Sequence, residues 1–325
     1  MLVPKGEGPS PRFDYTPASM PVALVVLLLA AACAWVAASV VFTAWRAVRP
    51  PRMGDGKALY ILKRLSPEDL GMAYEPVRFD VRDERGRPLR LAAWWMGADA
   101  PSAKTVLISH GYGDAKVGGI AWAPTWHAMG WNVLALDARA HGESGGQYCS
   151  GGYHERDDLC AILDQLRAAR PSATEWVALF GVSLGAGASS GCAARRRDVV
   201  ALVLDSPFAD YRNAIRSHLR RLGVPLASLH GIVVRLAERW CGARWRDGRP
   251  VDLIRQARCP VLTIRGGDDD FVSGADLAAL DAAVASRADG SRTVVVEGAH
   301  HTLSLAKDPI AYREAIAAFL RNVEK

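Results

Sequence analysis

Cysteine is scarce in this 325-residue sequence. Six residues with no Cys-x-x-Cys pair exclude a disulfide-stapled scaffold and a thiolate zinc module. Five of the six lie outside the long apolar run that holds Cys33, and an odd number fits reduced thiols better than bridges. The sequence also lacks Gly-x-x-x-x-Gly-Lys-Ser/Thr and His-Glu-x-x-His, so a phosphate-cradling loop and zinc hydrolysis have no support. Its 30 glycines follow no triplet period, which excludes a collagen-like rod. A hydrophobic share of 50% excludes a disordered polyelectrolyte.

One uncharged run stands apart. Val22 to Trp45 spans 24 residues without a charge, and at about 1.5 Å per residue this is roughly 36 Å of helix, enough to cross a bilayer with some tilt. A cleaved secretory signal has an apolar region of only about 7–15 residues. The run also continues past Ala30–Cys33, the one stretch with any likeness to a lipoprotein cleavage site. A permanent anchor is therefore expected. Lys5 and Arg12 precede it, while Arg46, Arg49, Arg52 and Lys57 follow, which leans the larger domain toward the cytoplasmic side. The expected organisation is a flexible tail at 1–19, a transmembrane helix at 20–46, a linker at 47–70 and one folded domain at 71–325.

Beyond the linker, strand and helix patterns alternate. Strands are expected at Val77–Val81, Leu89–Trp95, Thr105–Ser109, Val133–Asp137, Trp176–Phe180, Val199–Asp205, Val261–Arg265 and Thr293–Glu297. Helical spacing marks Trp122–Met129, Glu155–Ala169, Leu184–Ala194, Ala275–Ser286 and Ile310–Asn322. A leading hairpin followed by such alternation predicts an α/β fold: a mostly parallel eight-stranded sheet covered by helices on both faces. Residues 210–258 break the rhythm, because roughly fifty residues are far more than an ordinary connection. This insertion holds eleven arginines against four acids, a balance of +7, so the rest of the chain nets about −1 against the overall +6. It admits three readings: a solvated cap, a lid over an acyl or acidic substrate, and a surface resting on anionic lipid. Ile232, Val233, Leu236 and Trp240 recur there at helical spacing, flanked by Arg235 and Arg239, an amphipathic pattern.

The chemistry-bearing residues sit where expected strands end. Gly181-Val182-Ser183-Leu184-Gly185 is a Gly-x-Ser-x-Gly between a strand and a helix, the pattern of a nucleophile elbow. The serine needs a tight, strained turn, and only glycine on either side lets strand and helix approach. Gly142-Glu143-Ser144-Gly145-Gly146 also matches, but no strand leads into it and no helix can follow its glycines, so Ser144 reads as a loop residue. A serine hydroxyl is unreactive at neutral pH without an imidazole to take its proton and a carboxylate to orient that imidazole. Asp268, Asp269 and Asp270 follow one later strand; His300 and His301 follow the last. Strand Thr105–Ser109 runs into His110-Gly111-Tyr112-Gly113, a turn suited to aim the Tyr112 N–H, beside the Leu184 N–H, at a developing oxyanion.

Together these segments resemble the α/β-hydrolase-fold serine hydrolases. The likeness is to a membrane-anchored bacterial and eukaryotic group that is itself similar to the catalytic domains of prolyl-oligopeptidase-type peptidases. It covers about Val77 to Leu320 and rests on His110-Gly111-Tyr112, Asp137-x-Arg139-x-His141-Gly142-x-Ser144, Gly152-Tyr153-x-Glu155-x-x-Asp158, Gly181–Gly185, Asp205-Ser206-Pro207-Phe208, Gly266-x-x-Asp269-x-x-Val272 and Ala299-x-His301-x-x-Ser304. The resemblance implies Asp269 as the acid and His301 as the base. Arg265 and Ser273 depart from it, standing where the family often has histidine and proline.

The remaining polar residues have plainer expectations. His110 and His141 shape turns, Glu155 and Asp158 offset a helix dipole, and the adjacent histidines diverge too far to share a metal. No cofactor and no metal are expected. The expected partners are a small acyl substrate and membrane lipid, reached through the N-terminal helix and the basic cap. Nucleic acid is not expected, since no binding motif accompanies the arginines. The expected activity is cleavage of a carboxylic ester or thioester. A peptidase using the same triad is one alternative, and a binding module with an inherited fold is another.

Overall fold

The computed structural model describes residues 22–221 and 227–323. The expected tail at 1–19 and the 222–226 stretch of the insertion lie outside the described residues. The chain divides into two compact units after Ser39. Helix α1, Val22–Val48, is long and apolar enough to cross a membrane by length and composition. Its last turns belong to the second unit, where Val40, Ala44 and Val48 are buried.

The 47–70 stretch, expected as a linker, contains helix α2, Asp55–Leu62, and a 3-10 turn, Pro67–Leu70. The turn starts on a capping box: the Ser66 side chain accepts the Glu68 N–H, and the Asp69 carboxylate accepts the Ser66 N–H.

Eight strands form one sheet in the second unit: β1 Glu75–Arg82, β2 Pro88–Met96, β3 Lys104–Ser109, β4 Asn132–Leu136, β5 Trp176–Val182, β6 Ala201–Asp205, β7 Val261–Gly266 and β8 Arg292–Val296. Their order is β1-β2-β4-β3-β5-β6-β7-β8. The β1–β2 and β2–β4 pairs are antiparallel and all others parallel. Burial follows from this placement. Edge strand β1 alternates exposed and buried positions, whereas β4 and β6 are buried throughout and read as unbroken apolar runs.

The helices after α2 are α3 Lys116–Gly119, α4 Ala123–His127, α5 Glu155–Ala169, α6 Leu184–Arg195, α7 Tyr211–Arg221, α8 His230–Cys241, α9 Pro250–Gln256, α10 Gly274–Ala285, α11 Ser304–Lys307 and α12 Pro309–Val323. Alternate strand residues feed two cores. Leu107, Leu179 and Leu202 join Leu159, Ile162 and Leu163 of α5 and Cys192 of α6. Ile108, Phe180 and Val203 join Trp126 of α4 and Tyr312, Ile316 and Phe319 of α12.

The helix expected at Trp122–Met129 is present but shorter, as α4, and a 3-10 turn at Ile120–Trp122 joins it to α3, which lies before the expected range. Pro124 falls in the first turn of α4, where a missing N–H breaks no helical bond. In α8 the buried face is His230, Val233, Val234, Ala237 and Cys241, while Ile232 is 46% exposed. Of the apolar positions read in the sequence, Val233 is in this buried stripe, while Leu236 and Trp240 are half-buried.

Parallel pairing brings the carboxyl ends of five strands to one rim. Ser109 lies opposite Gly181, Val182 opposite Asp205, Asp205 opposite Ile264, and Gly266 opposite Val296. Crevices outside the carboxyl ends of such strands are where ligands bind in open α/β sheets.

Candidate active site

Ser183 stands at the end of β5 and caps the start of α6, with φ 49° and ψ −105°. That left-handed conformation is uncommon for a residue with a Cβ and is held by its neighbours. Its N–H donates to the Asp205 carbonyl at 2.9 Å, and its own carbonyl accepts the Ala186 N–H at 2.9 Å. The two flanking glycines are required by close approach. A Cβ on Gly181 would run into the Gly185 carbonyl, and one on Gly185 into the Ser109 carbonyl.

The three side chains named from the sequence form one hydrogen-bonded chain. The Ser183 hydroxyl donates to His301 Nε2 at 3.0 Å, and His301 Nδ1 donates to Asp269 Oδ2 at 2.7 Å. Asp269 Oδ1 accepts the N–H groups of Phe271 and Val272 at 3.0 and 3.1 Å, which fixes the carboxylate in the β7–α10 loop. Burial works to raise the Asp269 pKa. The hydrogen bond and charge of His301, with the two backbone donors, outweigh it and hold the carboxyl below its usual range. The Phe271 ring lies 4.7 Å from the His301 ring, centroid to centroid. The other histidine is engaged elsewhere: His300 Nδ1 bonds the Asp268 carbonyl at 3.0 Å.

Leu184 follows Ser183 directly, and Tyr112 follows Gly111, which packs against Ser183. Gly111 is so close that a Cβ on it would sit 3.8 Å from Ser183 Cβ, so Tyr112 follows directly on the wall beside the serine. Leu184 is the first residue of α6, where backbone N–H groups have no helical acceptor and the helix dipole favours negative charge.

A second network behind His301 carries residues quoted in the sequence without any role. Ser206 has φ 49° and Thr302 φ 62°. The Ser206 hydroxyl accepts the Thr302 N–H at 2.9 Å and donates to Asp205 Oδ1 at 2.8 Å. Asp205 Oδ2 accepts the Tyr312 hydroxyl at 2.7 Å and Trp122 Nε1–H at 3.2 Å. Burial pushes the Asp205 carboxyl up, against the pull of these donors and of His301. The Ser206 N–H also donates to the Ile264 carbonyl of β7 at 2.8 Å. The Asp205-Ser206-Pro207-Phe208 segment was the available sequence signal; Trp122 and Tyr312 are too distant in the chain to have been joined to it.

Other polar residues read from the sequence have structural partners. Ser144 is buried in its loop, donating to the Asp137 carbonyl at 2.7 Å and accepting the Ala92 N–H at 2.9 Å. His110 bridges the Gly111 carbonyl and the Ala138 N–H, and His141 bonds the Arg139 carbonyl. The carboxylates at the start of α5 do more than offset its dipole. Glu155 accepts the N–H and hydroxyl of Ser150 at 2.7 and 2.5 Å, and Asp158 pairs with Arg139 at 2.6 and 2.7 Å. Arg265 pairs with Asp281 at 2.8 Å, and Ser273 caps α10 by accepting the Asp276 N–H. Among the described residues, no group of three or more His, Cys, Asp or Glu side chains is arranged to hold a metal ion.

With this geometry in view, comparisons with known proteins are informative. The family model Hydrolase_4, described as serine aminopeptidase, S33, matches residues 100–241. The uncharacterized protein YqkD of Bacillus subtilis is 26% identical over 234 residues, covering 69% of this chain and 73% of that protein. The uncharacterized protein Rv2307c of Mycobacterium tuberculosis is 29% identical over 247 residues, covering 75% and 80%. Among solved structures, the Pyrococcus furiosus esterase Pf2001 superposes with a TM-score of 0.66 at 23% identity, over 84% of this chain and 98% of that one. The Pyrococcus horikoshii acylaminoacyl peptidase does so with 0.56 at 12% identity, over 82% of this chain and 43% of that one. Likeness at these identities speaks for the fold. Strand order, the strained turn between β5 and α6, and the likeness to these structures converge on one conclusion: the chain has the α/β-hydrolase fold.

Proposed function

We propose that this protein is a membrane-anchored serine hydrolase that cleaves a carboxylic ester or thioester through an acyl-enzyme. One observation carries the reading: the unbroken Asp269–His301–Ser183 chain of hydrogen bonds, at 2.7 and 3.0 Å, ending on a strained serine. In the proposed reaction Ser183 Oγ attacks the acyl carbon while its proton passes to His301 Nε2. The tetrahedral oxyanion receives the N–H groups of Tyr112 and Leu184, each donor stabilising it by about 3 kcal/mol. The bond to the leaving oxygen or sulfur then breaks, and His301 returns the proton to that atom. A water deprotonated by His301 next attacks acyl-Ser183, releasing the acid and restoring the hydroxyl. Asp269 keeps Nδ1 protonated and stabilises the imidazolium.

The substrate reading is a small acyl compound, and α1 supports a membrane location from which lipid-derived esters are within reach. The arginines after α1 favour a cytoplasmic catalytic unit. Lipid is also proposed as a partner of the arginine-rich cap, where Arg216, Arg220, Arg235 and Arg239 are exposed. A second reading has an observation of its own: the matching family model is described as a serine aminopeptidase, and amide cleavage would use the same groups. The test is a series of p-nitrophenyl esters of increasing chain length beside aminoacyl amides, with fluorophosphonate labelling. Ester turnover and labelling are expected in the wild type and should vanish in Ser183→Ala. Labelling that survives Ser183→Ala excludes the assignment, and turnover confined to amides selects the peptidase. Labelling without turnover of either class selects a binding module.

A further inference from the structure

We propose that the segment Arg46–Arg52, where α1 ends, is a working part of the active site: it clamps the loop that presents the Tyr112 N–H. The inference rests on the reading of Tyr112 as an oxyanion donor. All residues involved belong to the second compact unit.

A segment that only tethers leaves its carbonyls to water. Here three consecutive carbonyls are taken by the domain. The Tyr112 hydroxyl donates to the Arg46 carbonyl, the Tyr211 hydroxyl to Ala47 at 2.8 Å, and the Cys149 N–H to Val48 at 2.8 Å. Burial pushes the Tyr112 phenol well above its ordinary pKa, so the hydroxyl keeps the proton it donates. Four residues on, the Arg52 guanidinium donates to the carbonyls of His141, Gly142, Ser144 and Gly146 at 3.2, 2.7, 2.6 and 3.1 Å. A fork of five N–H groups suits several fixed carbonyls, whereas a lysine offers one compact charge.

The gathered loop leads back to the site. The His141 ring packs edge-on against Tyr112 and His110, with centroids 6.1 and 4.9 Å apart. Pro51 closes the remaining side: a Cβ on Gly113 would lie 3.3 Å from its Cγ, so the turn after Tyr112 is bounded by the segment itself. Tyr112 is thus held through its hydroxyl, its ring and the residue following it, by residues 46–52 or by a loop that Arg52 gathers. An oxyanion donor works by position, and displacements near 1 Å cost on the order of 100-fold in rate. Arg52 and the Tyr112 hydroxyl are therefore positioning groups. Loosening them should lower kcat and leave substrate binding alone.

The experiment uses the full chain in detergent micelles or nanodiscs, with a p-nitrophenyl ester and a trifluoromethyl ketone, whose adduct on serine carries an oxyanion. Tyr112→Phe removes one hydroxyl and keeps the backbone donor; Arg52→Ala removes the fork; Arg52→Lys keeps charge without it. The expected result is a kcat about tenfold lower or more in Tyr112→Phe and Arg52→Ala, with KM within about twofold. The ketone should weaken by the same factor, and Arg52→Lys should recover only part of the loss. A structural role alone would lower the amount of folded enzyme and leave ketone affinity per active site unchanged. Tyr112→Phe guards against an Arg52→Ala that fails to fold. If both keep kcat within twofold, or lose rate only in step with folded protein, the clamp is overturned while the Ser183 reading stands. If Ser183→Ala turns over like the wild type, the site reading fails and the clamp falls with it.

Discussion

Ser183, Ser206 and Thr302 all take positive φ without being glycine, and all three lie where the Ser183 and His301 segments meet. Each such residue stores about 1–3 kcal/mol that surrounding contacts must offset. Asp269 shows how the site holds its charge. Its folded pKa is below the ordinary 3.8, so its stabilising contribution is complete above that value. As pH falls through the lower folded pKa the carboxylate gains a proton and the contribution is lost. Asp269→Asn should therefore cost more stability at pH 6 than at pH 3, read as the difference in thermal unfolding from wild type at each pH. At neutral pH the same variant should reduce kcat by about 10⁴-fold, since an amide cannot enforce the required imidazole tautomer. A loss below about tenfold would remove Asp269 from its proposed role.

At the scale of elements, the elbow is a problem of close approach. Gly185 touches the end of β3 at Ser109, and strand and helix can meet only without a side chain there. Gly185→Ala should lower stability by several degrees in a melting scan and abolish labelling of Ser183. Unchanged melting and labelling would mean that α6 can shift to admit a methyl group. This part of the site was legible because its constraint is local: glycine spacing, a strand before it and a helix after it. The loops just past β7 and β8 were legible for the same reason, whereas the choice of Asp269 among three aspartates and of His301 over His300 came from the resemblance to the hydrolases. The tie from Ser206 to Thr302 was not legible, for it joins residues 96 positions apart. Neither was the Arg52 fork, whose acceptors lie 89 to 94 positions away.

For the whole molecule, α1 is shared between the two units. Val40, Ala44 and Val48 are buried in the second, so its final turns contribute to that unit's own packing. Removal of α1 by a signal peptidase would strip those side chains away. The full-length protein should retain residues 22–48 after membrane insertion, as read by intact mass and by resistance to alkaline extraction. A mature mass beginning beyond Val48 would refute the anchor. The mostly parallel eight-stranded sheet followed from the alternation of elements, whereas the packing of residues 46–52 is set by three-dimensional neighbours that no periodic pattern encodes.

The carboxyl end of β6 has one more implication. The Asp205 carbonyl receives the amide of Ser183, and the hydroxyl of the next residue receives the amide of Thr302, which adjoins His301. Two successive residues thus tether both sides of the 3.0 Å contact between Ser183 and His301. A distortion confined to that short stretch should disturb both tethers at once.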